Sequence, residues 1–307
     1  MEDPDKNNDA ILITGPTASG KSAVAVALAQ ALAETGRRGV VINADSAQVY
    51  ADLQILSARP SAAEVGEVRH ELYGHVPVGQ TYSTGDWLRE AGVLLERLKH
   101  ENRLPVFVGG TGLYFKALTG GLSEMPAIPA DLRTEIRQRL ETEGSDALHR
   151  ELAEVDPAMA QRLSPGDCQR IVRALEVFRA TGRSIAEYQK QSGPQLVDPD
   201  RTRKLVVLPD RTVLHDRINR RFQQMMDEGA IEEVEALLSL SLKPEMPAMK
   251  AIGVAQIADM LAGRITRQEA IERASAATRQ YAKRQMTWFR NQMDESWERV
   301  DPAVFRI

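Results

Sequence analysis

One cysteine, Cys168, is all that the 307 residues hold. A lone thiol excludes an internal disulfide and a cysteine-built zinc cluster, so a reducing compartment is the straightforward expectation. The chain also lacks any apolar run near the roughly 20 residues of a membrane span. Its opening stretch, MEDPDKNNDA, is polar and acidic rather than basic then apolar, unlike a signal peptide. Residues 1–9 are expected to be disordered and the protein cytoplasmic. An excess of positive charge is missing as well, since the formal net charge is −4. Bulk electrostatics therefore do not announce a nucleic-acid binder, and any such surface must be local.

What is present is ordinary in bulk and specific in detail. Hydrophobic content of 43% and charged content of 27% fit a soluble globular protein. The length allows one large domain, or a core with an appended subdomain. Short apolar runs at residues 11–14, 40–43, 105–108 and 204–208 read as strands, with helical patterns at residues 21–33 and 84–100 between them. Strands alternating with helices argue for an α/β fold on a parallel sheet, with ligands at the strands' carboxyl ends. Between residues 121 and 200 the pattern is helical, with no strand. The expected organisation is a core over residues 10–120, a helical insertion over 121–200, and the rest of the core with C-terminal helices over 201–307.

At residues 15–22 the chain reads GPTASGKS, which fits G-x-x-x-x-G-K-[ST] at every fixed position. The loop lies between a strand and a helix, the setting a phosphate cradle requires. Backbone N–H groups along it can turn toward phosphate oxygens at the positive end of the following helix. Lys21 adds a point charge, and the Ser22 hydroxyl suits a magnesium ion. Gly15, Pro16, Thr17, Ala18, Ser19, Gly20, Lys21 and Ser22 are the candidate phosphate-binding set. A nucleotide-hydrolysing enzyme of this class usually places an acid at the end of a second apolar strand. Here PVFVGG ends in Gly109 and Gly110, whereas VVINAD ends near Asp45. Taken alone, Asp45 could be a magnesium carboxylate, a helix N-cap or something else.

Several further segments, in order along the chain, resemble the tRNA dimethylallyltransferase (isopentenyl-tRNA transferase) family. They are DSAQVY from Asp45, GGTGLYFKAL from Gly109, CQRIVRALEVFRATG from Cys168, RINRRFQQMMDEGAIEEV from Arg217 and ATRQYAKRQMTWFRN from Ala277. With the phosphate loop they cover residues 11–291. The resemblance implies a P-loop NTPase-like core and a reaction in which a dimethylallyl group moves from dimethylallyl diphosphate to N6 of the adenosine at tRNA position 37, just 3′ of the anticodon. The loop would then hold a diphosphate leaving group, with Mg²⁺ as cofactor and Ser22 as its protein ligand. An adenine exocyclic amine is a poor nucleophile, so a base must take its proton as the C–N bond forms. The resemblance gives that role to Asp45. It puts Arg221 on the diphosphate, where fixed positive charge stabilises the leaving group, and Thr111 beside the reacting centre. It assigns tRNA contacts to Asp45, Ser46, Ala47 and Gln48, to Thr111, to Arg133, and to Gln169, Arg170, Ile171, Val172 and Arg173. Arg273, Arg279, Lys283, Arg284 and Arg290 could supply a local basic surface. The implied protein works as a monomer with no membrane partner, and the two-substrate geometry predicts a channel with diphosphate at one mouth and adenine at the other.

Two segments depart from the family pattern. In YADLQILSARP, Leu56, Ser57 and Arg59 stand where a glycine, a threonine and a lysine are usual, and Leu56 does not keep the backbone freedom of glycine. In KAIGVAQ, Val254 and Ala255 replace an aromatic and a basic residue, and a tRNA contact carried by that pair would be lost. Three alternatives stand beside the main reading. A phosphate-loop kinase would explain the loop and Asp45, but neither the helical insertion nor the C-terminal arginines. A relative that prenylates free AMP or ADP would have no use for the CQRIVRALEVF run. A non-enzymatic tRNA-binding protein would have no use for an intact Lys21, Ser22 and Asp45.

Overall fold

The computed structural model describes residues 8–34 and 36–305. Most of the N-terminal stretch expected to be disordered, residues 1–7, lies outside them. Asp9 does not fit that expectation, because its N–H donates to the Arg201 carbonyl at 2.7 Å and its carboxylate accepts from the Arg201 guanidinium at 2.8 Å. The chain divides into two compact units, Met1–Thr119 with Leu196–Ile307, and Gly120–Gln195.

The larger unit carries a six-stranded parallel sheet of order β3-β2-β4-β1-β5-β6. Its first elements are β1 (Ala10–Thr14), α1 (Lys21–Glu34), β2 (Gly39–Asn43), α2 (Ala62–Val65) and β3 (His70–Glu71). Then follow α3 (Thr84–His100), β4 (Leu104–Gly109) and α4 (Gly112–Gly120). In the smaller unit lie α5 (Ala130–Glu143), α6 (Ser145–Val155), α7 (Pro157–Ala160), α8 (Cys168–Thr181) and α9 (Ile185–Tyr188). The chain returns through β5 (Thr202–Val207), α10 (Arg211–Asp227), α11 (Ala230–Ser239), α12 (Val254–Leu261), α13 (Arg267–Gln292) and β6 (Glu298–Val300).

The central strands are buried on both faces, so they read as continuous β-branched and apolar runs rather than as alternating ones. Ile11, Ile13, Val41, Val106 and Val108 pack against Val24, Ala25, Leu28 and Leu32 of α1. Leu12, Val40, Ile42 and Phe107 face the other way, onto Trp87, Ala91, Leu94 and Leu98 of α3 and Tyr114 and Phe115 of α4. Trp87 stacks on Tyr114, with ring centroids 4.2 Å apart, and its indole N–H donates to the Asn43 carbonyl at 2.8 Å. α3 begins with a capping box in which Ser83 and Asp86 satisfy each other's backbone donors.

The parallel register sets the site. Thr14 pairs with Gly109 and Asn43 with Val108, so β1, β2 and β4 end level at one edge of the sheet. The phosphate loop, Asp45 and Thr111 all leave from that edge, as ligand-bearing loops do in parallel α/β sheets. A third apolar cluster, with Val49, Tyr50, Leu53, Phe222, Met226, Val234 and Ile257, joins the segment after Asp45 to α10, α11 and α12. The smaller unit has its own core, including Ile136, Leu148, Leu152, Ile171, Leu175 and Val177.

Candidate active site

Asp45 sits two residues past β2 and is held by its own neighbours. Its N–H donates to Asn43 Oδ1 at 2.9 Å, and Asn43 Nδ2 donates to the Asp45 and Leu72 carbonyls, each at 3.0 Å. Asp45 Oδ1 accepts from the Ala47 N–H at 3.0 Å, an Asx turn that fixes the carboxylate. Thr111 fixes the next residue, its Oγ1 accepting from the Ser46 N–H at 2.9 Å and donating to Ser46 Oγ at 3.2 Å.

The two glycines that end β4 have a steric reason. A Cβ on Gly109 would lie 2.0 Å from the Ala44 carbonyl oxygen. A Cβ on Gly110 would lie 2.4 Å from Gln285 Nε2 and 3.2 Å from Asp45 Oδ2. No acid fits at the end of this strand, and the missing side chains leave room beside Asp45 Oδ2.

Gln285, on α13, ties this turn to the phosphate loop. It is 6% exposed; its Oε1 accepts from the Thr17 N–H at 2.9 Å and its Nε2 donates to the Gly110 carbonyl at 2.9 Å. In the loop itself Ala18 takes a left-handed φ of 62° and Gly20 one of 91°. Lys21 Nζ donates back to the Pro16 carbonyl at 3.3 Å. Ser19 Oγ is buried and has no hydrogen-bond partner among the described residues. Arg217 donates to the Ser19 carbonyl at 3.2 Å.

Electrostatics converge on the same spot. Burial brings the Lys21 ammonium down to about 8, a shift that Asp45 opposes and Arg221 adds to. Burial also lowers Arg221, against Asp45 and Glu64. It raises Tyr73 and Tyr281, and the Asp45 carboxylate raises both further.

Two cavities meet here, of about 1260 Å³ and 510 Å³. They share Thr17, Ala18, Asp45, Ser57, Arg221 and Met225 as lining. Lys21, Ser22, Arg217 and Arg220 line the larger one. The smaller one is walled by Tyr50, Leu53, Leu56, Phe222, Ile252, Tyr281 and Arg284 among others.

Other candidates fall elsewhere. Gly15 and Pro16 are buried behind the cavity lining. Gln48 donates to the Ser57 and Ala58 carbonyls at 3.0 and 2.9 Å, so it braces the loop carrying the sequence departures. Leu56 has no positive φ; Ala58 takes the left-handed turn at φ 50° instead. The Leu56 side chain closes on Gly253, where a Cβ would lie 2.5 Å from it. Val254 is buried and Ala255 exposed. On α13, Arg273, Lys283, Arg284 and Arg290 are exposed, and Arg279 bonds Asn219. In the smaller unit Arg133, Gln169 and Arg170 are exposed and Arg173 is half-buried. Ile171 and Val172, at 0% and 7% exposure, belong to that unit's core, so their side chains cannot serve as the expected tRNA contacts.

Three residues with structural claims on the site escaped the sequence reading. They are Asn43, Gln285 and Glu233, whose carboxylate accepts from the N–H groups of Gln54, Ile55 and Leu56 at 2.7, 2.7 and 2.9 Å. Asn43 is two residues before Asp45 and readable as an Asx-type partner. The other two act across long separations.

The IPP transferase profile matches residues 48–292, and the isopentenyl transferase profile matches residues 8–78. The chain belongs to the tRNA dimethylallyltransferase family. The tRNA dimethylallyltransferase of Allorhizobium ampelinum is 66% identical over 306 residues, covering 100% of this chain and 99% of its own length. That of Agrobacterium fabrum is 65% identical over 302 residues, covering 98% and 100%. Among solved structures, the tRNA isopentenylpyrophosphate transferase of Bacillus halodurans is 34% identical, with a TM-score of 0.67 over 96% of this chain and 90% of that one. A eukaryotic dimethylallyltransferase solved acting on tRNA is 27% identical, with a TM-score of 0.76 over 91% and 69%. The family's P-loop NTPase-like architecture is the one described above.

Proposed function

We propose that this enzyme transfers a dimethylallyl group from dimethylallyl diphosphate to N6 of the adenosine at tRNA position 37, next to the anticodon. The observation that carries the reading is the meeting of two cavities at Asp45, Thr17 and Arg221. One side is cationic and amide-rich, which suits a diphosphate. The other is largely apolar with aromatic walls, which suits a flipped base. The allylic C–O bond breaks and its electron pair stays on the diphosphate. The N6 lone pair forms the C–N bond, and the amine proton passes to Asp45. Oδ1 of Asp45 is already engaged by Ala47, so the open Oδ2 beside Gly110 takes the proton. Lys21, Arg221 and the loop amides stabilise the charge that builds on the leaving group. The unpartnered Ser19 hydroxyl is a further donor in the loop.

The donor set suits Mg²⁺. Ser22 and three carboxylates, Asp45, Glu64 and Glu228, line the larger cavity, and the described residues contain no cluster of three or more acidic, histidine or cysteine side chains that could hold a metal ion. Mg²⁺ prefers this kind of site, with one or two protein oxygens and the rest from substrate phosphates. Bound at Ser22, it would neutralise charge on the diphosphate. In this reading the smaller unit grips the anticodon loop through Arg133, Gln169, Arg170 and Arg173, and the enzyme works in the cytoplasm as a monomer. No helix among the described residues is long and apolar enough to cross a membrane.

The test is transfer of label from dimethylallyl diphosphate to an anticodon stem-loop, run beside AMP and beside ATP without allyl donor. Label on the stem-loop alone supports the reading. Label on AMP moves the enzyme to free nucleotides, and ATP consumption without transfer restores a kinase.

A further inference from the structure

In the smaller unit, α5 and α8 enclose a carboxylate that nothing in the reaction requires. Glu176 is 3% exposed. Its Oε2 accepts from Arg173 Nη1 at 3.1 Å. Its Oε1 is buried with no hydrogen-bond partner among the described residues. The nearest cations to Oε1 are Nε of Arg133 at 4.0 Å and Nε of Arg137 at 3.9 Å, too far for hydrogen bonds. Both are approached through Nε rather than through the fork ends. Arg133 and Arg137 lie one helical turn apart on α5, with side chains 44% and 64% exposed.

The same unit shows how its arginines behave when they only staple the fold. Arg139 bonds Glu143 at 2.7 and 2.9 Å and pairs with Glu151 at 2.7 Å. Arg183 bonds Glu187 at 2.9 Å. Among the described residues Arg133 and Arg137 make no such side-chain bonds, although a buried carboxylate stands within 4.0 Å of each. Three cations around one anion leave a local charge of +2. A guanidinium held at that range keeps its planar fork of donors free for a planar or tetrahedral oxyanion.

We propose that Arg133, Arg137 and Arg173 form a phosphate clamp for the tRNA backbone, arrayed by the buried carboxylate of Glu176. Arg137 is then a backbone contact beyond those that the sequence motifs mark, and Glu176 is a positioning residue. The proposal rests on tRNA being the acceptor. The clamp reads no base. It sets the register of the anticodon loop, as phosphate contacts do.

The experiment is stem-loop binding to the full-length protein between roughly 50 and 200 mM salt, for wild type, Arg137→Gln and Glu176→Gln. Arg137→Gln is expected to weaken binding several-fold at the low-salt end and to flatten the slope of log K against log salt by about 0.7–0.9. In turnover the effect falls on KM for the stem-loop and not on kcat. Glu176→Gln decides between positioning and neutralisation by sign. Removing a negative charge strengthens RNA binding if Glu176 only cancels charge, and weakens it if Glu176 arrays the arginines. Weaker binding is the expected result, and tighter binding overturns the positioning role. If circular dichroism shows that the Gln variant does not fold, Glu176→Asp, which keeps the charge and shortens the reach, replaces it and must also weaken binding. Wild-type affinity and slope in Arg137→Gln overturn the clamp even if transfer to the stem-loop proceeds. Absence of transfer, with the stem-loop bound and the slope flattened as expected, overturns the acceptor reading and leaves the clamp standing.

Discussion

At the carboxyl ends of β1, β2 and β4 the groups proposed to do the chemistry are set in backbone hydrogen bonds, and glycines bring the main chain close. Asp45 is gripped by Asn43 and Ala47, and the phosphate loop is tied to Gly110 through Gln285. In the Gly120–Gln195 unit the arginines stand on helices over a separate apolar core, and Arg133, Arg137 and Arg170 are exposed. The first arrangement fixes a reacting atom to within a fraction of an ångström. In the proposed reading the second offers charge to a long, flexible polyanion, for which number and spacing of cations matter more than the exact angle. A lesion in the first region should therefore appear in kcat, and a lesion in the second in KM for RNA and its salt dependence.

The largest expected break is Asp45→Ala. Loss of a positioned base should lower kcat by about 10²–10⁴-fold while stem-loop affinity stays within a few-fold, measured by label transfer and by filter binding. Gly110→Ala comes next. The new Cβ meets Gln285 Nε2 at 2.4 Å and Asp45 Oδ2 at 3.2 Å, so the turn must shift. A displacement of this size is expected to cost about 10²-fold in kcat.

A pH profile sharpens the comparison without mutation. Lys21 in the free enzyme titrates at about 8, lowered by burial. Its positive charge is present below that value and lost above it. The value of kcat/KM for dimethylallyl diphosphate should therefore fall as pH rises through about 8, because that ratio reports the free enzyme. The charged form of Lys21 is the one burial disfavours, so the folding penalty it imposes is full below about 8 and relieved toward the ordinary lysine value. Stem-loop affinity should show no matching step at that pH.

Leu175→Ala probes the other region. Leu175 is fully buried in the core of the smaller unit, and its truncation should cost about 2–5 kcal/mol. Expected is a lower melting temperature and a raised KM for the stem-loop, with dimethylallyl diphosphate binding unchanged. The smallest effect belongs to Arg220→Gln. Arg220 is exposed at the edge of the larger cavity with only a weak contact to its own helix, at 3.4 Å. A change within about 0.5 kcal/mol of stability and a diphosphate KM within a few-fold of wild type are expected.

Much of the frame was legible in the chain. Continuous apolar runs marked the four central strands, and helical periodicity placed α3. The edge strands β3 and β6 were not legible, because two or three residues, most of them partly or fully exposed, carry no period. Gly109 and Gly110 read as a missing acid, and only the approach of Ala44 and Gln285 explains why no side chain stands there. Gln285 and Glu233 act on partners 268 and 179 positions away, a separation at which local pattern is silent. A motif block also mixes roles. Arg170 is exposed and Arg173 half-buried while Ile171 and Val172 face the core, and the 3.6-residue period separates them where a motif match does not.

The most direct test of the central claim, that Asp45 takes the amine proton where the two cavities meet, is the single-turnover rate of Asp45→Asn with both substrates bound. The amide keeps the shape and the Ala47 contact but cannot accept the proton. The account predicts wild-type affinity for the stem-loop and for dimethylallyl diphosphate, with transfer slowed by at least about 10²-fold. Transfer at close to the wild-type rate would contradict it.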